Sequence, residues 1–421
     1  MIGRGHDQPN ATMNSIDVPS SVVQRVGHAL AMETRMSVRE SLWTMDSFEE
    51  ALFSINHGGA VITHLPRLVA GLPPSVAALW RQLFRVDVSH GTIHPPDRMH
   101  GWIERAFGSV EAVLHQEIIR VTNQWTLEGA IFNRIRGLRP QQGRYQSDID
   151  QIIAASAGPQ DEAGFCTPES GTPEDRFGRV RGRYCLSASN VAKFDGWHGV
   201  LIFDQHNPLN FNLERVEDYI QTAGRWFDAV HTADPQAIYP FFIWNCLWRS
   251  GASVIHGHAQ MSVSHGMAYP KVELLRRTAE QYHNQHNANY FQDLWRVHRA
   301  LGLGLNIHSD NTHGYVSLTP IKEKEVVLFG NDVQELAQYL YHVLDCFVTE
   351  LGVQSFNVSI TMPPLSATPE SWANVPTIVR IVDRGDPNSR GSDIGAMELY
   401  AATVVASDPF NIANALAGRF P

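Results

Sequence analysis

An order of predicted elements that occurs twice after residue 184 constrains the fold more than any other feature. Each time, an apolar strand is followed by a helix and then by two further strands, and a His-Gly dipeptide opens the unit, at His198 and at His313. The predicted segments are 197–203, 215–232, 237–245 and 253–263 in the first half, and 312–320, 332–351, 355–362 and 377–382 in the second. This repeated order predicts two copies of one α+β unit.

The last strand of the first half carries a row of polar side chains. Between Ser253 and Val263, the residues His256, His258 and Gln260 share one parity, and mainly small or apolar residues have the other. Successive side chains of a strand point to opposite faces, so the two imidazoles and the carboxamide are predicted to share one face, about 6.5–7 Å apart along the strand. That spacing suits side chains that converge on one phosphate group better than it suits a hydrogen bond between the two histidines.

The residues before this strand favour phosphate binding. Ser250 to Ser253, with Gly251 between them, form a predicted turn that offers N–H and hydroxyl groups to phosphate oxygens, and Asn245 can anchor this loop. A row of imidazoles can ligate a metal, transfer protons or attack an electrophile. These neighbours favour attack on an α-phosphate, which gives a phosphoramidate that a second phosphate then opens. A structural pair of histidines is the alternative.

Six residues of this region match a known spacing. The spacing is Asn-x5-Gly-x-Ser-x2-His-x-His-x-Gln, and it resembles the galactose-1-phosphate uridylyltransferase branch of the histidine-triad (HIT) superfamily, which also includes NDP-sugar phosphorylases. The six residues are Asn245, Gly251, Ser253, His256, His258 and Gln260. The resemblance implies an α+β fold of two fused HIT-like units with antiparallel sheets, of which only the first keeps the nucleophile. It also implies that His258 becomes nucleotidylated, that His256 supports it or binds metal, and that Gln260 and Ser253 hold phosphate.

Five further residues are candidates for substrate binding. The resemblance extends to residues 129–140, where it implies phosphate contacts for Arg136 and Arg139, and to Asn190, which it implies to lie near the nucleoside. Lys322 and Lys324 stand at the end of a predicted strand in the second half, and either one could reach the phosphate of an acceptor.

The resemblance implies a function in carbohydrate metabolism. The implied reaction moves a nucleoside monophosphate between an NDP-sugar or NTP and a phosphate or sugar-1-phosphate acceptor, with no cofactor required for the covalent step, and the family commonly forms homodimers. The alternatives are a hydrolase or a dinucleoside-polyphosphate phosphorylase of the same superfamily, and a non-catalytic nucleotide-binding protein. Gln260 stands where superfamily hydrolases often carry a third histidine, which favours transfer. Gly257 replaces the proline usual in galactose-1-phosphate enzymes, which implies a different donor or acceptor.

The resemblance also implies part of a zinc site. Cys166, His206 and His256 match three of the four positions of a structural zinc in the family, and Ala163 stands at the fourth. Zinc in structural sites strongly prefers four ligands, so the missing thiolate favours loss of the metal, and a structural zinc remains the alternative.

Composition limits the partners and the location. The net charge of −10 argues against nucleic acid or anionic membranes as the main partners. Four widely spaced cysteines without a Cys-x-x-Cys pair favour a reducing compartment, no apolar run is long enough for a membrane helix, and the N-terminus lacks a signal-peptide pattern. We therefore expect a cytoplasmic protein.

Four segments are predicted along the chain. Residues 1–40 are polar and irregular and are predicted to be disordered, and residues 41–125, with a helix over 109–121, are predicted to form an N-terminal helical extension. The resemblance implies that residues 126–265 form the first HIT-like domain with the catalytic motif, and that residues 266–421 form the second, which lacks it.

Overall fold

The computed structural model describes residues 61–138, 148–158, 161–389, 391 and 394–420. The segment predicted to be disordered, residues 1–40, lies outside the described residues. The N-terminal part contains α1 (Leu65–Ala70), α2 (Pro74–Leu83), β1 (Phe84–Thr92), α3 (Asp97–Phe107), α4 (Glu111–Leu114), β2 (His115–Asn123), β3 (Gly129–Phe132), α5 (Arg134–Gly137), α6 (Ile149–Ala155) and α7 (Pro168–Gly171).

The rest of the chain contains the two halves of the repeat. The first half contains β4 (Cys185–Ser189), β5 (Trp197–Phe203), α8 (Leu213–Ala233), β6 (Ala237–Asn245) and β7 (His258–His265). The second contains α9 (Pro270–His286), α10 (Tyr290–Ala300), β8 (Thr312–Val316), β9 (Glu323–Gly330), α11 (Val333–Thr349), β10 (Phe356–Thr361), β11 (Thr377–Asp383), α12 (Met397–Tyr400), β12 (Thr403–Val405) and α13 (Pro409–Leu416). Among the described helices, none combines the length and apolar character needed to cross a bilayer.

Within the described residues, eight strands form one antiparallel sheet whose strand order is the same when it is followed inward from either edge. The order is β4-β5-β7-β6 for the first half, followed by β10-β11-β9-β8 for the second. The halves meet where β6 pairs with β10, with Asn245 opposite Asn357. The predicted duplicated α+β unit is therefore confirmed, and its two copies share one continuous sheet.

The match between the two halves differs in one respect from the sequence prediction. The sequence predicts a helix directly after the strand at His313, but β9 comes between them. By order in the sheet, β5 corresponds to β9, and β8 corresponds to β4. His198 on β5 and His313 on β8 therefore lie on strands that do not correspond. The polar start of β9, Glu323-Lys-Glu, resembles a charged turn in sequence, and only pairing with β8 and β11 reveals a strand.

Helices α8 and α11 contact each other and cover one face of the sheet. Each begins at a polar residue whose side chain accepts N–H groups of the first turn, Asn212 for α8 and Asp332 for α11. The packing is close, because a Cβ atom on Gly199 of β5 would lie 2.7 Å from the ring of Trp226 of α8. Trp226 is fully buried, so this face forms the main core.

The opposite face differs between the two halves. In the second half it is covered by α10, where Trp295 stacks on His313 at 4.2 Å and His298 stacks on Tyr315 at 4.1 Å. In the first half it carries a small apolar cluster of Ala188, Val200 and Ile202, against which Phe165 packs. The motif side chains lie on this face of the first half.

In the part of the chain that the structure describes, a second sheet has four strands in the order β1-β2-β3-β12. The predicted N-terminal helical extension is therefore helical only in part, since β1 and β2 are strands of nine residues each. The predicted helix over 109–121 is wrong from His115 onward. Ile119, Val121 and Asn123 of β2 are buried in strict alternation, and pairing with β1 outweighs a local apolar spacing that also fits a helix.

Candidate functional site

The motif strand begins later than the sequence predicts. β7 starts at His258, and Ser253 to Gly257 form a loop. From His258 onward the predicted alternation is confirmed, because Ala259 and Met261 are fully buried on the helix-covered face and Gln260 lies on the other face. His256 lies in the loop, so the prediction that the two histidines share one strand face is wrong.

Gly257 is fixed by a close approach of the backbone. A Cβ atom at this position would lie 2.6 Å from the carbonyl oxygen of Gln205. Its N–H group donates to the carbonyl of His206 at 3.0 Å, and its carbonyl accepts from Phe203 at 2.9 Å. A proline here would remove the first of these bonds. This backbone therefore requires glycine between the two histidines.

His258 is buried, and one hydrogen bond fixes its tautomer. Its Nδ1 lies 2.8 Å from the carbonyl oxygen of His256, and a carbonyl only accepts, so Nδ1 carries the proton and Nε2 keeps its lone pair. The ring of Phe165 packs edge-on against it, with ring centroids 5.3 Å apart. Burial lowers the pKa of His258, which favours the neutral ring.

Gln260 is held by a histidine that the sequence analysis did not assign to the site. The N–H of Phe194 donates to Nδ1 of His198 at 3.3 Å, so the proton of His198 lies on Nε2, which donates to Oε1 of Gln260 at 2.9 Å. The carboxamide oxygen is thereby occupied, and its NH₂ group remains a donor for a ligand. Nδ2 of Asn190 lies 3.1 Å from the same Nε2, which brings this predicted substrate residue into the group. Burial lowers the pKa of His198.

The loop before β7 is anchored to the second half. Nδ2 of Asn357 donates to Oδ1 of Asn245 at 2.6 Å and to the carbonyl of Ser250 at 2.9 Å. Arg384 also donates to that carbonyl, at 3.4 Å. Gly251 has φ +97°, in the left-handed region, and Ser253 is exposed. The predicted anchoring role of Asn245 thus runs through Asn357.

Four further residues are predicted to bind substrate phosphate. Arg136 is exposed on α5, and Arg139 lies outside the described residues. Nζ of Lys322 pairs with Glu398 at 3.3 Å, and Lys324 pairs with Asp383. Phosphate binding by these four residues stays a prediction.

The three predicted metal ligands are brought together from distant segments. Nδ1 of His206 and Nδ1 of His256 are 3.1 Å apart, and they lie 3.3 and 3.4 Å from Sγ of Cys166. Nε2 of His206 lies 3.0 Å from the carbonyl of Ile153, and Nε2 of His256 lies 2.9 Å from the carbonyl of Phe203. Both Nε2 atoms therefore carry protons, and both Nδ1 lone pairs point at each other and at the sulfur.

This donor set fits zinc. Two facing lone pairs repel, and a cation between them and the sulfur removes the repulsion. Tetrahedral zinc with ordinary bond lengths separates two nitrogens by roughly 3.3 Å and a nitrogen from a sulfur by roughly 3.6 Å. The observed separations of 3.1, 3.3 and 3.4 Å are close to these values. Carbonyl groups behind both rings fix the tautomers that a metal needs.

The fold of this chain is similar to those of two proteins of known structure. The crystal structure of an ADP-glucose phosphorylase from Arabidopsis thaliana with bound ADP-glucose matches with a TM-score of 0.54 and 15% identity, over 69% of this chain and 95% of that chain. A GalT-like protein from Arabidopsis thaliana matches with a TM-score of 0.51 and 16% identity, over 61% and 92%. The chain shares its fold with these two proteins. The predicted fold class is thereby confirmed, whereas no protein-family model and no curated protein matches the sequence.

The sequence itself carries a signal for His198. His198, Val200 and Ile202 alternate along β5, so parity places His198 on the same face as the apolar cluster beside the motif. Asn357 has no comparable signal, because its role depends on which strands meet at the centre of the sheet.

Proposed function

We propose that this chain is a nucleotidyltransferase that forms a covalent nucleotidyl-histidine at His258. The observation that carries the proposal is the hydrogen bond from Nδ1 of His258 to the carbonyl of His256, which leaves the Nε2 lone pair on a ring of fixed orientation. Such an imidazole needs no prior deprotonation to attack phosphorus. Gln260 lies on the same strand face as His258 and is oriented with its NH₂ group as a donor, which suits a phosphate site better than a histidine with only a structural role.

The proposed chemistry has two half-reactions. In the first, Nε2 of His258 bonds to the α-phosphorus of an NDP-sugar, the bond from that phosphorus to the bridging oxygen breaks, and the sugar phosphate leaves with the electron pair. The proton stays on Nδ1, where the carbonyl of His256 stabilises the charge that develops on the ring. In the second, an oxygen of the acceptor phosphate attacks the same phosphorus and the bond to Nε2 breaks.

Donors around the nucleophile suit the charge that develops on the phosphoryl oxygens. The NH₂ group of Gln260, the hydroxyl of Ser253 and the N–H groups of the loop at Gly251 are proposed to bind these oxygens. Fixed donors of this kind stabilise a transition state without reorganising during the reaction. His256 supports the nucleophile through its carbonyl group.

The loop after β4 offers a surface for the nucleoside. Phe194 is 55% exposed although its ring lies 3.8 Å from that of His198, and Val191 is 85% exposed next to Asn190. An exposed aromatic ring can stack on a base of any identity. The fold shared with an ADP-glucose phosphorylase makes ADP-glucose the first donor to test.

A labelling experiment tests the nucleophile. The full chain is incubated with ADP-glucose, UDP-glucose, ATP or UTP, and intact mass spectrometry is used to detect the addition of one nucleoside monophosphate that is labile in acid and stable in base. We expect His258→Ala and His258→Asn to show no adduct, because both changes remove the attacking nitrogen. His265→Ala is the matched control, since His265 ends the same strand and pairs with Asp234.

The same experiment separates the alternatives. An adduct that forms in both folded His258 variants, as judged by circular dichroism, would contradict the proposal, as would no adduct with any donor in the wild type. Addition of phosphate or a sugar 1-phosphate to the isolated adduct should release an NDP or an NDP-sugar. Release of the monophosphate alone would identify a hydrolase.

A further inference from the structure

The structure assigns a ligand to the position that Ala163 leaves open: we propose that Asp161 completes a zinc site with Cys166, His206 and His256. The sequence pattern that implies three ligands offers no fourth, and zinc in structural sites takes four. This inference concerns metal content and does not depend on the proposed function.

Asp161 lies in the same tight loop as Cys166. Its Oδ2 accepts the N–H of Cys166 at 2.5 Å, and its carbonyl accepts the N–H of Gly164 at 3.1 Å. The loop therefore folds back and brings the carboxylate to the residue that carries the sulfur ligand. The ligand atoms of Cys166, His206 and His256 all lie within 4.8 Å of one another, and Asp161 stands just outside this group, so its side chain must turn toward them to bind a metal.

A second contact places an N–H donor beside the sulfur of Cys166. The N–H of Gly158 points at Sγ of Cys166 at 3.3 Å, and a donor to sulfur favours the thiolate that zinc requires. Burial and the Asp161 carboxylate raise the pKa of this thiol while no metal is bound, so the metal itself must displace the proton. The two imidazoles already present their Nδ1 lone pairs to this sulfur. Sulfur, two nitrogens and a carboxylate oxygen make up a donor set that zinc accepts.

Charge balance favours a carboxylate over water as the fourth ligand. One thiolate and two neutral imidazoles leave a zinc site with one net positive charge, and a carboxylate makes the site neutral. The ring of Phe165 packs over His256, with centroids 6.2 Å apart, and His256 itself is buried. An unbalanced charge in such surroundings is unfavourable.

The site would act on His258 by holding its neighbour in place. His256 is a ligand through Nδ1, and its carbonyl accepts the proton of Nδ1 of His258 at 2.8 Å. Zinc would therefore fix the backbone that orients His258, without touching a substrate. This makes Asp161 a positioning residue.

Metal analysis of purified full-length variants tests the assignment. We expect about one zinc per chain in the wild type by plasma mass spectrometry, and a zinc affinity at least about tenfold weaker in Asp161→Ala, measured by competition with a chromophoric chelator. Glu162→Ala is the matched control, because Glu162 is the adjacent carboxylate and is exposed. Cys166→Ser should lose the metal.

A rescue distinguishes lost ligation from damaged folding. The double variant Asp161→Ala/Ala163→Cys restores the Cys-x-x-Cys spacing with Cys166, and we expect it to regain wild-type zinc affinity. Cobalt substitution should give a tetrahedral absorption spectrum with a thiolate band in the wild type and in the double variant. Zinc-free wild-type protein after purification and reconstitution, or equal affinities for the wild type and Asp161→Ala, would overturn the assignment.

Discussion

At the residue scale, the candidate site depends on tautomers that backbone groups impose. His206 and His256 donate from Nε2 to carbonyls, whereas His258 donates from Nδ1. The first two therefore present Nδ1 to a metal, and the third presents Nε2 to a substrate. The three histidines lie close together, but the carbonyl group that each ring contacts decides which of its nitrogens carries the proton, and therefore what the ring can bind.

His198 offers the clearest test at this scale. We expect His198→Ala to slow adduct formation about tenfold or more, because Gln260 loses the partner that turns its NH₂ group toward the substrate. In a Gln260→Ala background the same change should have little further effect, since the two residues act as one unit. Single-turnover rates of the four proteins give the coupling, with the exposed His90→Ala as control. Additive losses would contradict this role.

At the element scale, α10 is held against the second half by a buried neutral histidine. Nδ1 of His298 donates to the carbonyl of Leu294 at 2.7 Å, and its Nε2 accepts the N–H of Leu318 at 3.2 Å. Both ring nitrogens are satisfied only when the ring is neutral. Burial lowers the pKa of His298 to about 4 from its ordinary value of 6.5.

This histidine predicts a pH dependence of stability. Below pH 6.5 the unfolded chain binds a proton that folded His298 refuses until about pH 4, so the free energy of unfolding falls as the pH decreases through this window. The full contribution is about 3 kcal/mol. We expect His298→Gln to be less stable at pH 7.5 but to lose less stability between pH 6.5 and 4.5 than the wild type. Urea unfolding at several pH values measures how the free energy of unfolding changes with pH in the wild type and in the variant. Equal changes in the two proteins would contradict the assignment.

At the scale of the whole molecule, one partly buried cluster of charges joins the two sheets. Arg380 of β11 donates to Glu325 of β9 at 2.5 Å and to Glu128, which precedes β3, at 2.8 Å. Glu325 is fully buried, and burial raises its pKa. Arg380 lies beside Val327 and Tyr315, on the face of the second half that α10 covers, so this charge cluster links the two sheets under that helix.

Removal of the shared cation should destabilise the molecule. We expect Arg380→Met to lower the free energy of unfolding by about 3–5 kcal/mol at pH 7, because two carboxylates lose their partner and one of them is buried. The loss should shrink as the pH falls, because burial raises the pKa of Glu325 and the carboxylate takes up a proton. Glu325→Gln in the same background should recover part of the stability. Denaturant midpoints provide the measurement, and a loss that does not change with pH would contradict this explanation.

The sequence by itself determined the elements whose signals are local. The spans of β5 and β6 match their predicted ranges, α8 and α11 begin and end within two residues of them, and the alternation of β7 is right from His258 onward. Apolar periodicity depends only on near neighbours along the chain, so it can be recognised without the fold.

Only the tertiary structure decided what depends on pairing and on contacts between distant segments. β2 and β9 are strands because partners lie beside them, although their local patterns resemble a helix and a charged turn. Cys166 meets His256 across 90 residues, and His198 meets Gln260 across 62. Such contacts depend on register and loop path, which no local period encodes, and the tautomers of the site depend on them in turn.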